Sequence, residues 1–107
     1  MIKTSADLLK VIKEHITIDE AIFDVELGKD TYGFPQEVTI TVGDCQLLIQ
    51  HEDDNEKPFF FLLTYVSRDV GEFESESLAD GIKWAWSKIG VAISEWSTLR
   101  SLMVSKE

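Results

Sequence analysis

Cysteine and histidine are scarce: Cys45 stands alone, and His15 and His51 are the only histidines in 107 residues. A single cysteine excludes an internal disulfide, and nothing points to an oxidising compartment. No serine sits in a glycine-framed elbow, and no glycine-rich phosphate loop leads into a helix, so neither a nucleophile–base pair nor a nucleotide cradle can be assembled. His51-Glu52-Asp53-Asp54 offers metal-capable side chains without the spacing of a zinc site or a calcium loop, and reads as a solvated acidic turn. No catalytic residue, metal or cofactor is therefore expected, and the chain does not read as an enzyme.

Long apolar runs are missing too. None approaches the roughly 18 residues of a membrane helix. The opening MIKTSADLLKVIKEH lacks the apolar core and small-residue cleavage site of a signal peptide. The expected setting is cytoplasmic, a bacterial or phage-infected host cytosol, with no membrane partner.

Basic residues are the other shortage: ten Lys and Arg stand against twenty Asp and Glu, a net charge of −10. The imbalance is local. Residues 19–80 hold sixteen acids and three bases (Lys29, Lys57, Arg68), a net of −13, whereas residues 1–18 carry +1 and residues 81–107 carry +2. Such a field repels nucleic-acid phosphates and favours encounter with basic surfaces. Direct nucleic-acid binding is not expected.

What is present in quantity is apolar surface. Hydrophobic residues make up 44% of the chain, enough for residues 1–107 to form a single domain with its own core. Thr4 with Asp7 approximates a capping box, and Leu8, Ile12 and Ile16 recur at helical spacing behind it. AIFDVELG alternates Phe23, Val25 and Leu27 with acids, as a half-buried strand does. In EVTITVGDCQLLIQ, Gly43-Asp44 predicts a two-residue hairpin turn that pairs Val42 with Cys45, Ile40 with Leu47 and Val38 with Ile49. All six would face the core, which makes Cys45 a small core residue. FFFLLTYVS reads as a fourth strand, apolar on both faces.

RDVGEFESES reads as an acidic lead-in to a helix capped by Ser77. On a wheel of about 100° per residue, Leu78, Ile82, Ala85, Trp86 and Ile89 share one stripe, and Trp84 falls across the helix between Asp80 and Lys88. Trp84 is thus a tryptophan without an evident home. The final helix, a homodimer or partner interface, and plain solvent are the three expected places for it. Gly90 suggests a break, after which Ser94 would cap a last helix carrying Trp96, Leu99 and Met103. The expected fold is α+β: two layers, with a four-stranded antiparallel sheet, one N-terminal and two C-terminal helices in the order α-β-β-β-β-α-α.

The function expected on these grounds is protein binding. A small acidic domain could occlude a basic-surfaced partner, such as a nuclease or nucleic-acid-handling complex, with carboxylates in place of phosphates. Immunity proteins against nuclease toxins and phage anti-defence proteins share this size and acidity, though no motif carries the likeness. The candidate contact residues are Asp24, Glu26, Glu52, Asp53, Asp54, Glu56, Glu72, Glu74, Glu76 and Trp84. The alternatives are a dimeric effector-chaperone-like protein gripping apolar client segments, self-associating through the Trp84 side, or a structural subunit without inhibitory role.

Overall fold

A computed structural model describes residues 2–16, 18, 20–21, 23–66 and 68–88, with backbone only at 42 and 86–88. The described chain runs α1 (Ser5–His15), β1 (Asp24–Leu27), β2 (Gln36–Val42), β3 (Cys45–His51), β4 (Phe59–Tyr65), β5 (Arg68–Ser75) and α2 (Leu78–Lys88). The α+β class is as expected. The strand count is not: the antiparallel sheet has five strands in the order β1-β2-β3-β4-β5, and the fifth is the stretch that reads in sequence as an acidic lead-in. Its alternation is real, but Gly71 and Ser75 occupy two of its inward positions, so only Phe73 signals a buried face. Two helices belong to the described residues. The proposed break at Gly90 and the last helix with Ser94, Trp96, Leu99 and Met103 lie outside them, as does the Trp86 side chain.

Helix α1 starts where its cap requires. Thr4 Oγ1 accepts from the Asp7 amide at 3.1 Å, and Asp7 Oδ2 accepts from the amides of Thr4 at 3.2 Å and Lys3 at 3.1 Å. The Lys3 amide, with help from Thr4, holds the Asp7 carboxyl below its ordinary value. Buried Ser5 ties the helix to the sheet: its amide donates to Asp30 and its hydroxyl accepts from the Glu37 amide at 3.0 Å.

The hairpin register is as the sequence dictates, with Val38↔Ile49, Ile40↔Leu47 and Val42↔Cys45 paired. Gly43 takes φ +57°, the left-handed value a two-residue turn needs at its first position. Val38, Ile40, Cys45, Leu47 and Ile49 are all fully buried. They join Phe61 and Leu63 from β4, Leu8 and Ile12 from α1, and Leu78, Ile82 and Ala85 from α2 in one core. Both helices therefore cover the same face of the sheet. Leu27, expected inside with Val25, is 47% exposed at the end of the short edge strand.

Trp84 has a home that the sequence did not suggest. Its ring stacks on Phe73 of β5, centroids 5.3 Å apart and planes 11° from parallel. It also lies over Gly71, where an added Cβ would meet the indole at 3.3 Å. Helix α2 returns the favour at Gly81, where a methyl group would overlap the buried Phe61 ring. The buried arc of α2 thus runs through Gly81 towards half-buried Trp84. A hydropathy wheel cannot see a glycine that is buried for lack of bulk.

Candidate functional site

Strand alternation decides what the other face of the sheet presents. Following the pairings outward from β3, three rows of side chains cross it. One reads Glu26–Thr39–Leu48–Leu62–Glu72 across all five strands, and the next reads Asp24–Thr41–Gln46–Thr64–Asp69. The third spans β2 to β5 as Glu37–Gln50–Phe60–Glu74. Each row begins and ends in a carboxylate and is uncharged between. The face is therefore two acidic rails along its edges with Leu48, Phe60 and Leu62 half-buried down the middle. At about 4.8 Å per strand, rails on β1 and β5 stand about 19 Å apart.

Rail and core share the same strands. A β-bulge between Leu63 and Thr64 in the β4–β5 ladder shifts the pairing so that Leu63 meets Gly71 and Thr64 meets Asp69. The extra residue, Val70, lets both Asp69 and Glu72 lie on the open face. Glu72 and Glu74 then alternate with Gly71 and Phe73, which hold Trp84 on the opposite face.

Of the residues expected from sequence, Asp24, Glu26, Glu72 and Glu74 meet on this face, all exposed. Glu52, Asp53, Asp54 and Glu56 are exposed in the β3–β4 turn at one end of it. A groove of about 220 Å³ lined by Gln50, Glu52, Lys57, Phe60 and Glu74 joins the turn to the third row. Glu76 is exposed between β5 and α2. Trp84 belongs to the helix-covered side and is not brought together with the acids.

Sequence reasoning missed Glu37 and Asp69, which complete the rows; Glu37 is held there by the Gln50 amide, which donates to it at 3.2 Å. It also missed Tyr32 and Phe34. These flank Gly33, whose φ of +87° suits the third position of a type II turn, closed by the Phe34 amide donating to Thr31 at 3.0 Å. Tyr32 is fully exposed and Phe34 68% exposed. They line a groove of about 420 Å³ shared with His51, Glu52, Asp53 and Asp54. Two aromatics bracketing a glycine in GKDTYGFP was the available signal.

His51 closes the floor of that groove. Gln36 Oε1 accepts from its Nδ1 at 2.8 Å, Asp53 Oδ1 lies 3.3 Å from Nε2, and the ring tilts against Phe59 at 5.1 Å. Burial lowers its pKa, partly offset by the Asp53 carboxylate. Cys45, fully buried, lies in the core away from any surface. Among the described residues no three His, Cys, Asp or Glu side chains gather as metal ligands, and no helix is long and apolar enough to cross a membrane.

Comparison with known proteins returns no match to a family model, a curated protein or a solved structure.

Proposed function

We propose that this protein binds a basic-surfaced protein partner through the open face of its sheet and blocks it, as an inhibitor of the immunity or anti-defence kind would. One observation carries the reading: all three rows across the face end in carboxylates on both sides, with no lysine or arginine at any strand position of that face. Here six carboxylates, Asp24, Glu26, Glu37, Asp69, Glu72 and Glu74, frame one face that neither described helix covers. Lysines and arginines of a nuclease or other nucleic-acid-handling protein are the groups such a frame suits, because they are spaced to meet phosphates. The acids of the β3–β4 turn extend it at one end.

The chaperone-like alternative draws support from the Leu48, Phe60 and Leu62 strip, which an apolar client segment could cover. Self-association on the Trp84 side would use the helix-covered layer and leave the acidic face free. Salt separates the readings, since screening weakens exposed charge pairs and leaves apolar contact nearly untouched. The test is inhibition of a panel of purified basic nucleases by the full chain, at low and high salt, beside a variant carrying Glu26→Lys, Glu72→Lys and Glu74→Lys. The proposal requires inhibition that fades with salt and is lost in the variant while its melting temperature holds. Association and inhibition unchanged by the reversal would leave the acids as a solubility device.

A further inference from the structure

Building on the acidic-face reading, we infer that the partner element seated on this face is a basic amphipathic α-helix lying along β3 and β4, its apolar stripe on Leu48, Phe60 and Leu62 and its cations reaching both rails. Width is the first argument. A helix with side chains is about 10–12 Å across, so it fits between rails about 19 Å apart and leaves each a lysine or arginine side chain away. An extended strand laid on the same face sends its side chains up and down, not sideways, and would leave both rails unmet. Spacing is the second. Phe60 and Leu62 repeat along β4 at two residues, about 6.8 Å, close to the roughly 6 Å between residues four apart on a helix. The sheet also shows what it accepts, since its opposite face is covered by two helices.

Charge weighs against the main rival. A second copy of this chain seated face to face would set carboxylate rails against carboxylate rails. Among the described residues, Lys29 and Lys57 are the bases that line grooves with residues of the third row, at its margin, and none stands at an outward strand position. Symmetric pairing through this face is therefore opposed, and a chain rich in lysine and arginine is favoured.

Two synthetic peptides of about 16 residues, about 24 Å as a helix, decide the matter when titrated into the full chain by fluorescence anisotropy and circular dichroism. One carries a leucine stripe with lysine and arginine on both flanks; the other scrambles the same composition. The amphipathic peptide should bind at least about tenfold tighter, about 1.4 kcal/mol, and gain helicity on binding. Glu26→Gln with Glu72→Gln should weaken it about tenfold and flatten its salt dependence. Leu62→Thr should weaken it several-fold with the salt dependence intact, and Leu48→Thr serves equally should Leu62→Thr fail to fold. Equal, salt-sensitive binding of both peptides overturns the helix while the basic-partner reading survives. No binding of either near 1 mM, a free energy of about −4 kcal/mol, counts against the acidic face itself. A dimer of the chain that Leu62→Thr dissolves would make a second copy the occupant and overturn the inference.

Discussion

Replacing Gly81 by alanine sets two effects of opposite sign against each other. Alanine is favoured over glycine inside a helix by about 1 kcal/mol, and Gly81 lies in the first turns of α2. A surface glycine would therefore gain stability. At this position the new methyl would occupy the space of the Phe61 ring, whose nearest carbons lie within overlap distance. Phe61 is fully buried at the centre of β4, between Ile49 and Phe73, and has no solvent to swing into. Overpacking of this kind costs about 1–3 kcal/mol and sometimes more, and gross overlap belongs at the upper end. The expected net loss is about 1–2 kcal/mol, a fall of about 5–15 °C in melting temperature for a domain this size. Urea and thermal melts followed by circular dichroism measure it. A double-mutant cycle with Phe61→Leu names the culprit, because shrinking the ring should recover most of the Gly81→Ala loss. A rise in melting temperature in the single variant, or a coupling below about 0.5 kcal/mol in the cycle, would refute the claim that this helix is seated on that ring.

Trp84→Ala should destabilise the isolated chain by about 2–3 kcal/mol, less than a fully buried tryptophan would, with loosened β5 amides by hydrogen exchange; no change in exchange would mean Phe73 and Gly71 do not depend on the indole. Val66 holds φ +52° with its side chain 54% exposed, a conformation costing a β-branched residue about 1–2 kcal/mol. Val66→Gly should thus raise stability by up to about 1 kcal/mol once glycine's extra unfolded-state entropy is set against it, and a lower urea midpoint would refute the strain. Because burial lowers the His51 pKa, the unfolded chain, titrating near its usual value of about 6.5, binds the proton first as pH falls. Stability from this group is therefore full above about pH 6.5 and lost on acidification below it. His51→Gln should flatten the decline of the urea midpoint between about pH 7 and 5, well above the range where Asp7 acts; an unaltered slope would show that His51 is not its source.

The legible parts of the fold were those in which hydropathy and turn chemistry pointed the same way. Gly43-Asp44 fixed a turn, the turn fixed a register, and the register agreed with Val38, Ile40, Leu47 and Ile49 on one face. The Thr4–Asp7 cap was equally plain, since both hydrogen bonds are local. What escaped was structure made by an absent side chain. Residues 68–75 turn one large apolar residue, Phe73, towards the core, because Gly71 is covered by a ring from another element. An isolated glycine in an alternating stretch signals a bulge or a close approach, and both occur here, at Val70 and at Gly71. The acids of β1 and β5 could be named from sequence, yet that they share one face could not. Their alignment depends on a bulge and on the parity of five strands, neither of which leaves a local mark.

The placements of Trp84 and Gly81 are halves of one packing solution. Helix α2 has a ring too many at Trp84 and a gap at Gly81; the sheet has a ring projecting at Phe61 and a gap at Gly71. Each ring fills the other layer's gap, so α2 is keyed to β4 and β5 at two points, and sliding either element would bury neither ring. That key bears on the proposed binding face through strand parity. Gly71 and Phe73 face the helix, so Glu72 and Glu74 must face outward, and the same indole that fastens β5 to the core fixes the position of one acidic rail. Trp84→Ala should for this reason weaken partner association even though Trp84 lies on the opposite side of the sheet, and it should do so by a loss of stability that Glu72→Lys and Glu74→Lys do not share. If Trp84→Ala left β5 protected from exchange and association intact, rail and core would be independent, and the coupling argued from parity would fall.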